Sequence, residues 1–273
     1  MTTRPDTGAA PARQETSLTT PILPISIQIY SLRSLGALDA MLDCVVAAGH
    51  RHVELIGSQL DDAGATLAAL QARGLTASSS HVGMAALRER FGAVLAACRT
   101  LGFADLYMPA VPAEERDAPA AYWRALGREL GGMARTAAAE GIRLGYHNHH
   151  WELQPKDGEL TALDLLWEAA GDSPLAWQMD AAWMVRGGAD PEAWMRRHAH
   201  RITSVHAKDL APAGEKLDED GWADVGSGTL DWHRLARSAK AAGAKWLVAE
   251  HDKPSDPARF AHASFRFLST LEG

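Results

Sequence analysis

The fold class this sequence predicts is α/β, a (β/α)8 TIM barrel. Three observations predict it. Eight short β-rich runs recur along the chain, and helical stretches separate them. Glycine stands just ahead of six of the runs, where it supplies the left-handed residue that ends a helix. Strict alternation of strand and helix implies a parallel sheet, and eight units in roughly 250 residues suit a closed barrel better than an open sheet.

The elements follow in order. "ISIQIY" is the first strand, and "LGALDAMLDCVVAA" the helix behind it, ended by Gly49. "HVELI" is the second strand. Gly74 precedes "LTASSSHV", Gly102 precedes "ADLYM", and Gly141 precedes "IRLGYHNH". Gly171 precedes "LAWQMD", "ITSVHAKD" follows Arg201, and after the helical "LDWHRLARSAKAA", Gly243 precedes "KWLVAEH". No internal boundary interrupts the rhythm, so residues 22–273 read as one domain. Residues 1–21 are polar and rich in Pro, Thr and Ala, without the apolar centre of a signal peptide, and read as a disordered leader.

Composition excludes several function classes. Of 273 residues, 27 are Lys or Arg and 34 are Asp or Glu, a net charge of −7 with no long basic run. Nucleic-acid binding needs clustered Lys and Arg. No apolar run approaches the ~20 residues that span a membrane. Cys44 and Cys98 lie in alanine-rich helical patterns and read as reduced core residues of a cytoplasmic protein. A small-molecule substrate and a homo-oligomeric state are expected.

In such a barrel the chemistry sits at the C-terminal ends of the strands. Polar residues fall there in pairs two apart, which share one face of a strand. They are His147 with His149, Gln178 with Asp180, His206 with Lys208, and Glu250 with Asp252. Facing inward, carboxylates and imidazoles from four strands would meet at one mouth, which is costly without a cation. A divalent metal removes the difficulty. His198, His200, His233 and His262 read as surface residues. His50 and His52 lie at the start of strand two, away from the chemistry, and His81, at the end of strand three, is evenly balanced. Trp183 and Trp222 are core residues or sugar platforms. "DVGSGTLDW" (224–232) is a tight loop or a phosphate cradle.

"GYHNHHWEL", "QMDAAWMVRGGADP", "SVHAKDL", "DVGSGTLDW" and "VAEHDKP" together resemble the xylose-isomerase-like TIM-barrel superfamily over nearly the whole domain. Its members include sugar-phosphate isomerase/epimerase-like proteins, inosose dehydratases, ketose 3-epimerases and the lyases that cleave 3-keto-glycosides. The resemblance implies a Mn²⁺-like ion held by a carboxylate after strand five and by Asp180, His206 and Glu250. At the end of strand five, where ketose epimerases carry glutamate followed by proline, this chain has His147. Either Glu152 loops back as the fourth ligand or His147 is itself the ligand. Glu152 is preferred, because three oxygens and one imidazole suit a hard ion such as Mn²⁺ or Mg²⁺, with Co²⁺ or Zn²⁺ as alternatives.

His147 and His149 are then free for proton transfer. "YHNH" looks more like the dehydratase and 3-keto-glycoside lyase branches than the epimerases. The expected activity is therefore a metal-dependent lyase that deprotonates a keto-sugar or 3-keto-glycoside next to its ketone and eliminates the β-substituent. His147 or His149 is the base, with Lys208 or the other histidine stabilising oxyanion charge or protonating the leaving group. The alternatives are a sugar or sugar-phosphate isomerase/epimerase and a sugar-binding barrel without turnover.

Overall fold

A computed structural model describes residues 21–272; all of the expected leader except its last residue lies outside them. The barrel strands are β1 (Ile25–Gln28), β2 (His52–Ile56), β3 (Thr76–His81), β4 (Asp105–Met108), β5 (Arg143–His147), β6 (Ala176–Asp180), β7 (Ile202–Ala207) and β8 (Leu247–Ala249). They are parallel and close on themselves, β1 pairing with β8 through Ile25–Leu247 and with β2 through Ile27–Val53. Behind them lies a layer of helices, among them α1 (Leu38–Ala48), α2 (Ala63–Gln71), α3 (Met84–Leu101), α4 (Ala120–Ala139), α5 (Ala162–Ala170), α6 (Pro191–Arg197), α7 (Trp232–Ala241) and α8 (Pro257–Leu268).

The glycine punctuation works as the sequence suggests. Gly49 ends α1 at φ +100°, and a Cβ there would meet the Phe265 ring at 2.7 Å. Both conformation and space therefore demand glycine. Between barrel and helices the core is aromatic and aliphatic; Trp123, Trp177, Trp232 and Phe260 are fully buried. Each such side chain contributes roughly 2–3 kcal/mol of transfer free energy.

The inside of the barrel is polar. Tyr107 reaches across to Thr203, hydroxyl to hydroxyl at 2.8 Å, and Gly145 leaves room for it, since a Cβ there would stand 2.7 Å from the Tyr107 ring. Two strands carry one residue too many for their ladders. Between β2 and β3 the pairing steps from Val53–Ala77 to Glu54–Ser79, leaving Ser78 over. Between β6 and β7 it steps from Trp177–Ile202 to Gln178–Ser204, leaving Thr203 over. These bulges re-aim the residues after them. Ser78 bonds Ser26 at 2.7 Å while the adjacent Ser79 bonds Glu54 at 2.6 Å.

Candidate active site

Four strand ends deliver the central cluster. His147 closes β5, Asp180 closes β6, His206 lies within β7, and Glu250 follows β8. Each offers one ligand atom, all four atoms lie within 4.8 Å of one another, and all four side chains are buried. Asn148 locks two of these ends together: its Oδ1 accepts from the Asp180 N–H at 3.0 Å and from Trp177 Nε1 at 2.9 Å.

The cluster fits a divalent cation. Two carboxylates and two imidazoles are a metal-binding donor set. Asp180 Oδ1 is occupied by the Trp183 N–H, but Oδ2 makes no hydrogen bond among the described residues. Lys208 Nζ lies 3.2 Å from that Oδ2 as an ion pair without hydrogen-bond geometry. A buried carboxylate oxygen left this way carries a desolvation cost that a bound cation would offset. The buried His/Asp/Glu cluster can therefore bind a divalent metal.

Beneath it lies a residue that sequence reasoning missed. Glu54, fully buried in β2, accepts hydrogen bonds from His206 Nε2 at 2.6 Å, Gln28 Nε2 at 2.8 Å, Ser79 Oγ at 2.6 Å and Gln178 Nε2 at 2.5 Å. Burial works to raise its pKa. The facing His81 and His206, with the bonds from His206 and Ser79, bring it down to about 2. Burial holds His81 itself below its ordinary value, so near neutrality the effective counter-charge is His206. Burial disfavours the His206 imidazolium in turn, but Glu54 and Glu250 on its two sides raise its pKa to about 10. The signal for Glu54 was a lone carboxylate flanked by Val53, Leu55 and Ile56 in the strand "HVELI".

Glu152 stands outside the cluster. Its carboxylate accepts from the Tyr146 hydroxyl at 2.7 Å and from the His149 N–H at 2.8 Å, tying the loop after β5 back onto the strand. Burial pushes its pKa up to about 7, against those hydrogen bonds. His147, not Glu152, is the residue brought beside Asp180, His206 and Glu250.

His149 lines the cavity at the mouth, stacked on Trp151 at 4.1 Å, and its Nδ1 has no partner among the described residues. Burial, then the charge of Lys208, holds its pKa well below the ordinary value, so it is neutral at pH 7. Lys208 is fully buried. Its ammonium lies 2.8 Å from Glu250 and 2.8 Å from Asp252, and it sits 4.7 Å from the Trp222 ring centre. Burial disfavours its charge, but Asp180, Asp252 and Glu250 outweigh burial and raise its pKa. The cavity has a volume of about 420 Å³. His81 lines it, as do Trp151 and Arg116, neither of which the sequence singled out.

Other expectations change. Trp222 is buried under Lys208 and Arg186, so it is no open platform for a sugar. The "DVGSGTLDW" loop cradles no phosphate: the Asp209 carboxylate already accepts its Gly226, Gly228 and Leu230 N–H groups, at 2.9, 3.2 and 3.1 Å. His198 is buried rather than on the surface, stacked on Trp194 because the outer helices close over it. His200, His233 and His262 are exposed. Cys44 and Cys98 are both free thiols. No helix among the described residues is long and apolar enough to cross a membrane.

Comparison with known proteins follows the same lines. The rhizopine catabolism protein MocC of Rhizobium meliloti is 27% identical over 170 residues, 55% of this chain and 51% of MocC. The chain thus spans about half the length of this curated relative. A sugar phosphate isomerase/epimerase of Parabacteroides distasonis superposes with a TM-score of 0.74 at 20% identity, over 95% of this chain and 98% of that one. The IolI protein with a bound zinc atom gives 0.67 at 14%, over 89% and 96%. The 3-keto-D-glucoside 4-epimerase YcjR of E. coli gives 0.65 at 17%, over 91% and 99%. At these identities the structural likenesses carry the fold alone. Residues 39–271 match the model of the xylose isomerase-like TIM barrel, and the chain belongs to that family.

Proposed function

We propose that this protein is a divalent-metal-dependent lyase acting on a keto-sugar or 3-keto-glycoside. His147, Asp180, His206 and Glu250 would hold the ion. With two imidazoles rather than one, the set suits Mn²⁺, Co²⁺ or Zn²⁺ better than Mg²⁺. A bound ion would stabilise the negative charge that develops on oxygen when a proton leaves the carbon next to the ketone.

The observation that carries the reading is His149. It is a neutral, half-buried imidazole on the cavity wall, two residues beyond His147, and needs no deprotonation to act as a base. It takes the proton from C2 of a 3-keto-glycoside. The C–H electron pair forms the C1=C2 double bond, and the aglycone departs from C1 with its bonding pair and gains a proton. Lys208, engaged by three carboxylates, holds Asp180, Glu250 and Asp252 in place rather than donating a proton.

A second reading, an isomerase or epimerase, is favoured by one observation: His81, from β3, also lines the cavity. Two imidazoles from different strands are what proton exchange on two faces of one carbon requires. The test is NMR of a 3-keto-glucoside with metal-loaded protein in D₂O. Release of aglycone together with an unsaturated keto-sugar supports the lyase. Deuterium entering recovered substrate or its epimer without release supports the epimerase. No metal-dependent exchange removes both and leaves a binding barrel.

A further inference from the structure

We infer that Arg116 and Trp151 form a subsite for an anionic group, a carboxylate or a phosphate, on the sugar that enters this cavity; the inference rests on the sugar-binding reading of the site above. Arg116 follows the short helical turn Ala113–Glu115 in the loop after β4, and its guanidinium lies over the Trp151 ring, 3.7 Å from the ring centre. Among the described residues lining the cavity it is the one lysine or arginine.

An arginine that merely covered a tryptophan would pair with the carboxylates near it. Its own loop holds Glu114, Glu115 and Asp117, and among the described residues none pairs with it. Glu115 accepts from the Tyr122 hydroxyl, and Asp117 faces Lys156 at 3.7 Å. Arg116 Nε and Trp151 Nε1 are both shielded from solvent and both lack a hydrogen-bond partner among the described residues. Next in the stack, His149 Nδ1 is unpartnered too. One wall of the cavity thus gathers unpartnered nitrogens, two of them certain donors, Arg116 Nε and Trp151 Nε1, around a cation. The carboxylates lining the cavity elsewhere, Glu250 and Asp252, lie 2.8 Å each from Lys208, and neither pairs with Arg116. A planar guanidinium with spare N–H groups binds carboxylate or phosphate oxygens through two parallel hydrogen bonds.

Isothermal titration of the metal-loaded protein with D-glucose, D-glucuronate and D-glucose 6-phosphate tests this without turnover. At least one anionic sugar is expected to bind about tenfold tighter than glucose, or better, as a charge-assisted pair in a partly enclosed site should. Whichever of the two it is identifies the group. Arg116→Met should bring the preference below about twofold. Arg116→Lys, which keeps charge but loses the flat fork, should lower it by about threefold or more. No preference in the wild type, or one that survives in both variants, overturns the subsite. Because the readout is binding, absence of the preference in the wild type with proton exchange intact sinks this inference alone. An intact preference without exchange sinks the reaction and leaves the subsite.

Discussion

Replacing Glu54 by glutamine tests how the cluster is held. His206 and Gln28 donate to Oε1, while Ser79 and Gln178 donate to Oε2. An amide keeps one oxygen, so whichever way it turns, one pair of donors meets an NH₂ group. Stranding a buried donor costs about 1–3 kcal/mol, and the charge-assisted bond to His206 is at the upper end of that range. About 3–5 kcal/mol of stability is therefore expected to go. For a domain of this size each kcal/mol is worth about 2–4 °C, so Tm should fall by roughly 6–20 °C. Glu54 also fixes the orientation of the His206 ring through Nε2, which turns Nδ1, 3.0 Å from Glu250, toward the cluster. Partners of this kind are worth about 10–100-fold in metal affinity. Thermal unfolding and a competition titration with a metal-binding dye measure both quantities. A variant whose metal affinity stays within twofold of wild type and whose Tm moves by less than about 2 °C would refute the positioning role.

Asp180→Ala, His206→Ala and Glu250→Ala should each lower metal content of the purified protein while the barrel stays folded by circular dichroism. His147→Gln should lose metal as they do and Glu152→Gln should keep it, and the opposite pattern in metal analysis would restore Glu152 as the ligand. His149→Ala should lower the elimination rate by about 10²–10⁴-fold at unchanged metal content, read by aglycone release against metal analysis. Glu152 has a folded pKa of about 7, above its ordinary 4.5. Its contribution to stability is therefore fully present below pH 4.5 and lost as pH rises through 7, on the order of 3 kcal/mol. Urea unfolding at pH 5 and pH 7.5 should show that slope in the wild type and a flatter one in Glu152→Gln.

Much of the fold was legible because it rests on local signals. Gly49 and Gly102 stop their helices for reasons that act within a few residues, and the strand runs between them are too short for anything else. Strand-end pairs at Asp180, His206 and Glu250 were legible because side-chain alternation fixes which residues share a face. What could not be read depends on distant segments. Glu54 is tolerable in an apolar strand only because His206, Gln28, Ser79 and Gln178 converge on it from other strands. The choice between His147 and Glu152 turns on the path of a loop, and that path is set by Tyr146 reaching back to Glu152. Arg116 sits in a loop without periodicity. His198 looked superficial because nothing in its own helix says that Trp167 and Trp177 pack around it from other segments.

The two surplus residues in the ladders, Ser78 and Thr203, lie on strands four apart, on opposite walls. Rotating the barrel by half a turn carries β3 onto β7, and the correspondence continues along the chain. Three residues beyond each bulge stands a histidine, His81 and His206, and their rings stack nearly parallel, 5.3 Å apart and 11° between planes. The imidazoles of β3 and β7 are thus related by an approximate two-fold rotation, whereas His147 on β5 has no counterpart on β1 and the carboxylates do not follow the rotation. Beyond β8 comes Glu250, whereas at the matching place beyond β4 comes Pro109. An acidic residue introduced at Pro109 would give the second half the counterpart of the pair that His206 makes with Glu250. The asymmetry between these two positions, together with Asp180 on β6 and His147 on β5, sets the candidate cation-binding cluster in one half of the barrel.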